Sequence, residues 1–324
     1  MAGPRLGEFE LIARFFAPLA APGALGLRDD AALIDVSPGH HLVATSDTVI
    51  AGVHFRTDDP PGLVARKALR VNLSDLAAKG ARPLGFLQAL CLNDGITDAW
   101  LELYAQGLAL DVAEFATPLL GGDTTLGPGP LAICITALGE APKGSAILRS
   151  GARAGDTVYV SGSIGDAALG LACLSGELKP AREDAGALTD RYHLPRPRLT
   201  VGLALRRIAS AALDISDGLA ADLGHMARAS NVAIAIERDA VPLSAAARRT
   251  VEANPKLWEK VLAGGDDYEI AFAAPESRAA DIARIAQQTG VPLTAIGRAA
   301  AGGEVTVTAG GEPLSLPSTG YRHR

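Results

Sequence analysis

Residues 62–92, GLVARKALRVNLSDLAAKGARPLGFLQALCL, pass from a helical pattern into an extended one within a single run of chain. No proline interrupts the segment up to Ala81, and Leu63, Val64, Ala68, Val71 and Leu76 recur at helical spacing until Gly80 ends it. After Pro83, LGFLQALCL (84–92) reads as a strand. Working outward, AALIDV (31–36) and HLVATSDTVIAGVHF (41–55) carry the β-branched alternation of strands on either side of a turn at Pro38–Gly39. Residues 5–20 form an amphipathic helix with Leu11, Phe15, Phe16 and Leu19 on one face. A second helix over 98–114 and a strand at LAICITALGEA (131–141) complete this half. The order of strands and helices predicts an α+β half with helices packed on one sheet.

Between Lys143 and Ala154 the pattern breaks into Gly, Ser and Arg, and a new strand begins at DTVYVSG (156–162). The boundary divides the chain into residues 1–145 and 146–324. In the second part the sequence predicts helices over 165–176, 198–209 and 277–289, with a proline-containing loop through 179–199. Another helix starts at Leu219, with Leu223 and Met226 at helical spacing. VAIAIE (232–237) is a strand, and GGDDYEIAFAA (264–274) runs from a loop into a strand. The fold class is a two-domain α+β or α/β chain.

The 324 residues, 48% hydrophobic and 20% charged, are enough for about two domains with a core each, and they exclude a disordered or disulfide-framed chain. A net charge of −6 provides no basic field for nucleic acid. LAICITAL (131–138) falls well short of the ~20 apolar residues of a membrane span, and acids ahead of the first apolar stretch argue against a secretory signal. Cys91, Cys134 and Cys173 stand far apart with no C-x-x-C pair, as free thiols of a reducing cytoplasm do.

Walker-type phosphate loops, G-x-S-x-G, H-E-x-x-H and G-x-G-x-x-G are all absent, and no two histidines stand at i,i+4. Aspartates remain: Asp30 in LRDDAAL, Asp47 in VATSDTVIAGV, Asp75 in RVNLSDLAAKGA, Asp123 in LLGGDTT, Asp214 and Asp217 in ALDISDGL, Asp266 and Asp267 in AGGDDYEIAF. Each has apolar neighbours that predict burial, and a buried carboxylate costs several kcal/mol unless it is neutralised. With few lysines at hand, hard oxygen ligands that include Thr45, Ser46 and Ser216 suit Mg²⁺. Taken singly, each has a plainer reading. Asp47 can cap a turn, Asn72 and Asp75 can share a solvated helix face, Gly121–Thr124 can be a tight turn, and Ser216 can cap a helix.

Taken in order, GEFELIARFF, DDAAL, TSDTVIAGVHF, ARKALRVNLSDLAAKGARP, GGDTT, LRSGARAGD, VSGSIGDAALGL, DISDGLAADL, GGDDYEIAF and GYRH resemble the thiamine-monophosphate kinase family. That family belongs to the superfamily of aminoimidazole-ribonucleotide synthetase and selenophosphate synthetase. The resemblance covers essentially the whole chain. Two departures stand out: Asp266 occupies the place of a family Glu, and no phenylalanine follows His323. The resemblance implies Mg²⁺ ligands at Asp30, Thr45, Ser46, Asp47, Asp75, Asp123, Asp214 and Asp217. It implies ATP contacts at Tyr104, Gly122, Asp123, Arg149 and Ser216, and substrate contacts at His54, Asp266 and Tyr321. Asp123, Arg149 and Asp217 are then the catalytic residues. The implied fold is an N-terminal domain that binds ATP and Mg²⁺ and pairs across a homodimer into a barrel, followed by a C-terminal α/β domain completing the active site. The implied reaction phosphorylates thiamine monophosphate with ATP by direct in-line transfer. Two alternatives stay open: a sibling activity on the same metal cluster, although no Cys precedes Cys91 for selenide chemistry, and a non-enzymatic cation-binding scaffold.

Overall fold

Two sets of apolar and β-branched strands build two separate sheets. The computed structural model describes residues 6–316, 320 and 321; Arg5, at the start of the first expected helix, and Arg322 and His323 of the closing motif lie outside them. The chain divides into two compact units, one running through Leu76 and resuming at Arg82–Lys143, the other made of Ala77–Ala81 and the chain from Gly144 onward.

In the first unit, helix α1 (Glu8–Leu11) runs on as a π-helical segment over Ile12–Phe16 and a 3-10 turn over Ala17–Leu19, so the expected 5–20 helix leaves α geometry after Leu11. Pro18 and Pro22, which cannot donate a backbone hydrogen bond, punctuate it. Strand β1 (His40–Ile50), helix α2 (Pro61–Ala78), β2 (Arg82–Leu92), α3 (Asp98–Phe115), β3 (Leu119–Leu126) and β4 (Ala132–Pro142) follow. The sheet has the order β1-β4-β2-β3, with β2 and β3 parallel and the other pairs antiparallel. Phe86, Gln88 and Leu90 lie in register with Ala137, Ile135 and Ile133, and all six are buried. The alternate residues Leu87, Ala89, Cys134 and Thr136 are partly or fully exposed, so one face of this sheet is covered and the other is open. Asp111 of α3 is fully buried and accepts hydrogen bonds from Arg66 and Arg70 of α2, which ties the two helices together.

The structure corrects two readings here. AALIDV (31–36) forms no strand, and Gly121–Thr124, whose plainer reading is a tight turn, belongs to the edge strand β3. Gly122 sits in that strand because a Cβ there would come within 1.8 Å of the Gln88 carbonyl oxygen.

The second unit contains β5 (Thr157–Ser161), α4 (Asp166–Leu174), α5 (Arg182–His193), α6 (Leu199–Leu205), β6 (Ala211–Asp214), α7 (Leu219–Ser230) and β7 (Ala233–Glu237). After them come α8 (Ala245–Ala253), α9 (Trp258–Ala263), β8 (Ile270–Ala274), α10 (Ala279–Thr289), β9 (Leu293–Ala300), β10 (Val305–Ala309) and β11 (Glu312–Pro313). Its seven strands run β11-β10-β7-β9-β5-β8-β6. Val158, Val160, Leu213, Ala271 and Ala273 face a core with α4, α7, α8 and α9, while Tyr159, Ala212, Ile270, Phe272 and Ala274 face α6 and α10. This sheet is therefore covered on both sides. Helix α5 replaces most of the loop expected over 179–199; its polar surface hid it, although Leu188 and Tyr192 supply a buried stripe.

Candidate functional site

In the first unit the expected ligands fall into two groups. The edge strand β3 and the turns after α1 enclose a cleft of about 490 Å³ lined by Asp29, Asp30, Leu87, Gln88, Gly122 and Asp123, among others. Asp30 and Asp123 are both exposed there. Tyr104 does not reach the cleft surface. It is fully buried, stacked on Trp100, and its hydroxyl donates to Gln88 Oε1 at 2.7 Å. Burial raises its pKa far above the ordinary phenol value. The residue that lines the cleft in its stead is the buried Gln88, which the sequence did not single out.

The second group lies on β1 and α2. Thr45 Oγ1 donates to Asp75 Oδ2, and Asn72 Oδ1 accepts from the Asp47 backbone N–H at 3.0 Å, so Asn72 and Asp75 of α2 both serve β1. Strand alternation sends Ser46 the other way: its hydroxyl meets Thr136 Oγ1 at 2.9 Å. The Ser46 side chain therefore does not share the face of Thr45 and Asp47. His54 accepts from the Ile50 N–H at Nδ1, 3.1 Å, which leaves Nε2 as the nitrogen able to carry the proton. β1 and β3 are opposite edges of the sheet with β4 and β2 between them. Three inter-strand steps of ~4.8 Å put Asp47 and Asp123 roughly 14 Å apart along it. One four-stranded sheet does not bring the two groups together.

The second unit builds its site on the segment Ser216–Gly218, which enters α7. Asp222 Oδ2 accepts all three backbone N–H groups of Ser216, Asp217 and Gly218, at 3.0, 3.0 and 3.1 Å. Burial first, and then the charge of Asp217, push the Asp222 carboxyl up to about 7 against those bonds. Asp266 sits at φ +64° after Gly265, which itself has φ +74° and would press a Cβ to 2.4 Å from the Ser216 carbonyl oxygen. A cavity of about 650 Å³ is lined by Asp217, Gly224, His225, Arg228, Glu304 and Tyr321, among others. Burial, Arg228 and Arg149 lower the His225 pKa while Asp217 opposes them, which places the exposed Arg149 within electrostatic reach of this cavity.

Asp217, Asp222 and His225 present ligand atoms within 4.8 Å of one another. Of the three, His225 offers a nitrogen and Asp222 spends Oδ2 on three N–H groups, so the hard oxygens on offer to a cation such as Mg²⁺ are those of Asp217 and Oδ1 of Asp222. Asp214 ends β6 and is half-buried.

The expectation that the motif acids are buried does not hold. Asp30, Asp47 and Asp123 are exposed, Asp75, Asp214, Asp217 and Asp266 are half-buried, and Asp267 alone of that group is buried. Asp267 accepts from the Gly165 N–H, and burial raises its pKa well above the carboxylate range. Glu269, which sequence reading passed over, is fully buried with Arg191, Arg198 and Ser161.

Two family models match the chain: AIR synthase related protein, N-terminal domain, over residues 28–141, and its C-terminal domain over residues 153–310. A thiamine-monophosphate kinase of Caulobacter vibrioides is 43% identical over 321 residues, covering 98% of this chain and 90% of the relative. The crystal structure of a thiamine-monophosphate kinase from Stenotrophomonas maltophilia is similar with a TM-score of 0.81 at 40% identity, over 89% of this chain and 90% of that one. The structure of AaThiL complexed with AMPPCP and TMP matches with a TM-score of 0.78 at 29% identity, over 99% of both chains.

Proposed function

Since this chain belongs to the thiamine-monophosphate kinase family, we propose that it moves the γ-phosphoryl group of ATP onto the phosphate of thiamine monophosphate. The products are thiamine diphosphate and ADP, and the reaction is the last step of thiamine diphosphate biosynthesis. One observation carries the reading. The motif acids Asp30, Asp47 and Asp123 stand exposed, while Asp111 and Glu269 are consumed by arginines in the interior.

The donor set suits Mg²⁺: Asp30 and Asp123 at the cleft, Asp47, Asp75 and Thr45 beside α2, and Asp214 and Asp217 in the second unit offer hard oxygens. Bound Mg²⁺ would neutralise phosphate charge and orient the two polyanions. Arg149 adds a charge that needs no proton uptake. Gly122 presents backbone without a side chain at the cleft, and Ser216 offers a hydroxyl to the nucleotide. His54, Asp266 and Tyr321 receive thiamine monophosphate, whose thiazolium cation suits an aromatic face and a carboxylate. No general base is needed, because a phosphate monoester with a second pKa of about 6 is already ionised at neutral pH. Phosphoryl transfer is then a matter of positioning and charge neutralisation, and transfer is direct and in line.

The functional unit is a homodimer with a shared barrel. The open face of the four-stranded sheet, with Leu87 36% and Leu42 50% exposed, calls for cover. The separation of Asp47 from Asp123 calls for a second copy to bring the two acid groups together. Among the described residues no helix is long and apolar enough to cross a membrane, and the three cysteines are free thiols, in keeping with a cytoplasmic enzyme. The test uses purified protein, Mg²⁺ and γ-labelled ATP, with thiamine monophosphate or thiamine as acceptor. Label should enter thiamine diphosphate from the monophosphate only, and labelling of neither acceptor would overturn the reading.

A further inference from the structure

The segment Ser216–Asp217–Gly218 is bonded on both of its polar sides. Its three N–H groups converge on Asp222 Oδ2, and Asp222 is only 5% exposed. Its carbonyls point to the two segments assigned to the substrate. The Ser216 oxygen accepts from the Asp266 N–H at 2.8 Å, and the Asp217 oxygen accepts from the Tyr321 N–H at 2.9 Å. Both approaches are tight: a Cβ on Gly265 would lie 2.4 Å from the Ser216 oxygen, and one on Gly320 would lie 2.7 Å from the Asp217 oxygen. Asp266 also holds a left-handed backbone angle that a non-glycine residue keeps only where its surroundings enforce it.

Building on the kinase reading, we propose that Asp222 is a positioning residue that sets the nucleotide and metal residues Ser216 and Asp217 and, through their carbonyls, the substrate residues Asp266 and Tyr321. One carboxylate oxygen is the common anchor of four side chains that act on two different ligands. Three N–H bonds to one carboxyl oxygen fix the tripeptide as a rigid unit, and each substrate segment is hung from one of the tripeptide's own carbonyl oxygens. Removing the anchor loosens all of them together, whereas changing Asp266 or Tyr321 disturbs the substrate side alone. Within this chain, that makes the geometry of the two ligand sites interdependent without any contact between the ligands themselves.

The test compares full-length wild type, Asp222→Ala and Asp222→Asn by steady-state kinetics and by amide hydrogen exchange. In Asp222→Ala both KM for ATP and KM for thiamine monophosphate should rise at least tenfold. Asp222→Asn keeps an acceptor oxygen and should recover most of each loss. Exchange should quicken at least tenfold at residues 216–218, at Asp266 and at Tyr321, while α10 keeps its protection. A lowered melting temperature with both KM values unchanged, or faster exchange confined to 216–218, would overturn the proposal. Should Asp222→Ala fail to fold, Asp222→Ser, whose shorter side chain cannot serve all three N–H groups, carries the same exchange comparison. Should wild type fail to phosphorylate thiamine monophosphate, the kinase reading falls, and the exchange pattern at Asp266 and Tyr321 still decides whether Asp222 holds them.

Discussion

Glu269 in the second unit and Asp123 in the first are both acids of strand-linked motifs, and their surroundings are opposite. Glu269 lies under a sheet covered on both faces, with no exposed surface, and takes hydrogen bonds from Arg191, Arg198 and Ser161. Asp123 stands on the edge strand of a sheet covered on one face, exposed in a cleft beside Asp30. A carboxylate taken out of water needs its partners built in, so Glu269 is spent on the fold. A carboxylate left in water keeps its lone pairs for a ligand. On the proposed reading, the difference separates acids that hold the protein from acids that hold phosphate-bound cations.

The sharpest way to break that comparison is Asp123→Asn. It should lower kcat by three orders of magnitude or more, about 4 kcal/mol of barrier, with a thermal melt close to wild type. Retention of more than a tenth of wild-type turnover at saturating Mg²⁺ would place Asp123 outside the chemistry. The mirror experiment is Glu269→Gln, which removes the charge that the buried Arg191 and the half-buried Arg198 share. It should cost about 3 kcal/mol, or roughly 6–12 °C in melting temperature for a unit of this size; an unchanged melt would show that the buried network is not structural.

Ligand addition sharpens the same contrast. Mg²⁺ together with a non-hydrolysable ATP analogue at one hundred times Kd should stabilise the wild type by about 2.7 kcal/mol. Differential scanning calorimetry should show that stabilisation in Glu269→Gln and lose most of it in Asp123→Asn; equal shifts in both variants would erase the distinction. The smallest effect belongs to Tyr321→Ala. An aromatic face against a cation is worth ~0.5–2 kcal/mol, so KM for thiamine monophosphate should rise about 3- to 30-fold while KM for ATP holds. A KM for thiamine monophosphate that stays at the wild-type value would remove Tyr321 from the substrate site.

The parts of the fold that the sequence makes legible are those with a strong period. Helix α2, strand β2 and helix α3 follow from apolar spacing over long runs, and their ends fall close to Pro61, Arg82 and Phe115. Strand β3 is illegible because Gly121, Gly122 and Asp123 carry turn-like composition, and the reason for glycine at 122 is a backbone from β2 that only the folded chain brings near. Helix α5 is masked by its polar residues and the prolines that follow it. At the site, the motif acids were found from their segments, but apolar neighbours in sequence do not say which way a side chain faces, and the burial read from them was wrong. Glu269 and Asp222 were missed for complementary reasons. The Arg191 partner of Glu269 is 78 residues away. The three N–H groups on Asp222 are local but belong to the backbone, which leaves no mark in residue type.

The claim on which the rest depends is that this chain carries a phosphoryl group from ATP to thiamine monophosphate on cations held by its exposed acids. Phosphorus NMR of a single reaction mixture tests it most directly. The account predicts that the γ-phosphate signal of ATP decays as the terminal phosphate of thiamine diphosphate grows in one-to-one proportion, with no reaction until Mg²⁺ is added. Conversion of ATP to ADP and inorganic phosphate, with thiamine monophosphate left unchanged, would contradict it.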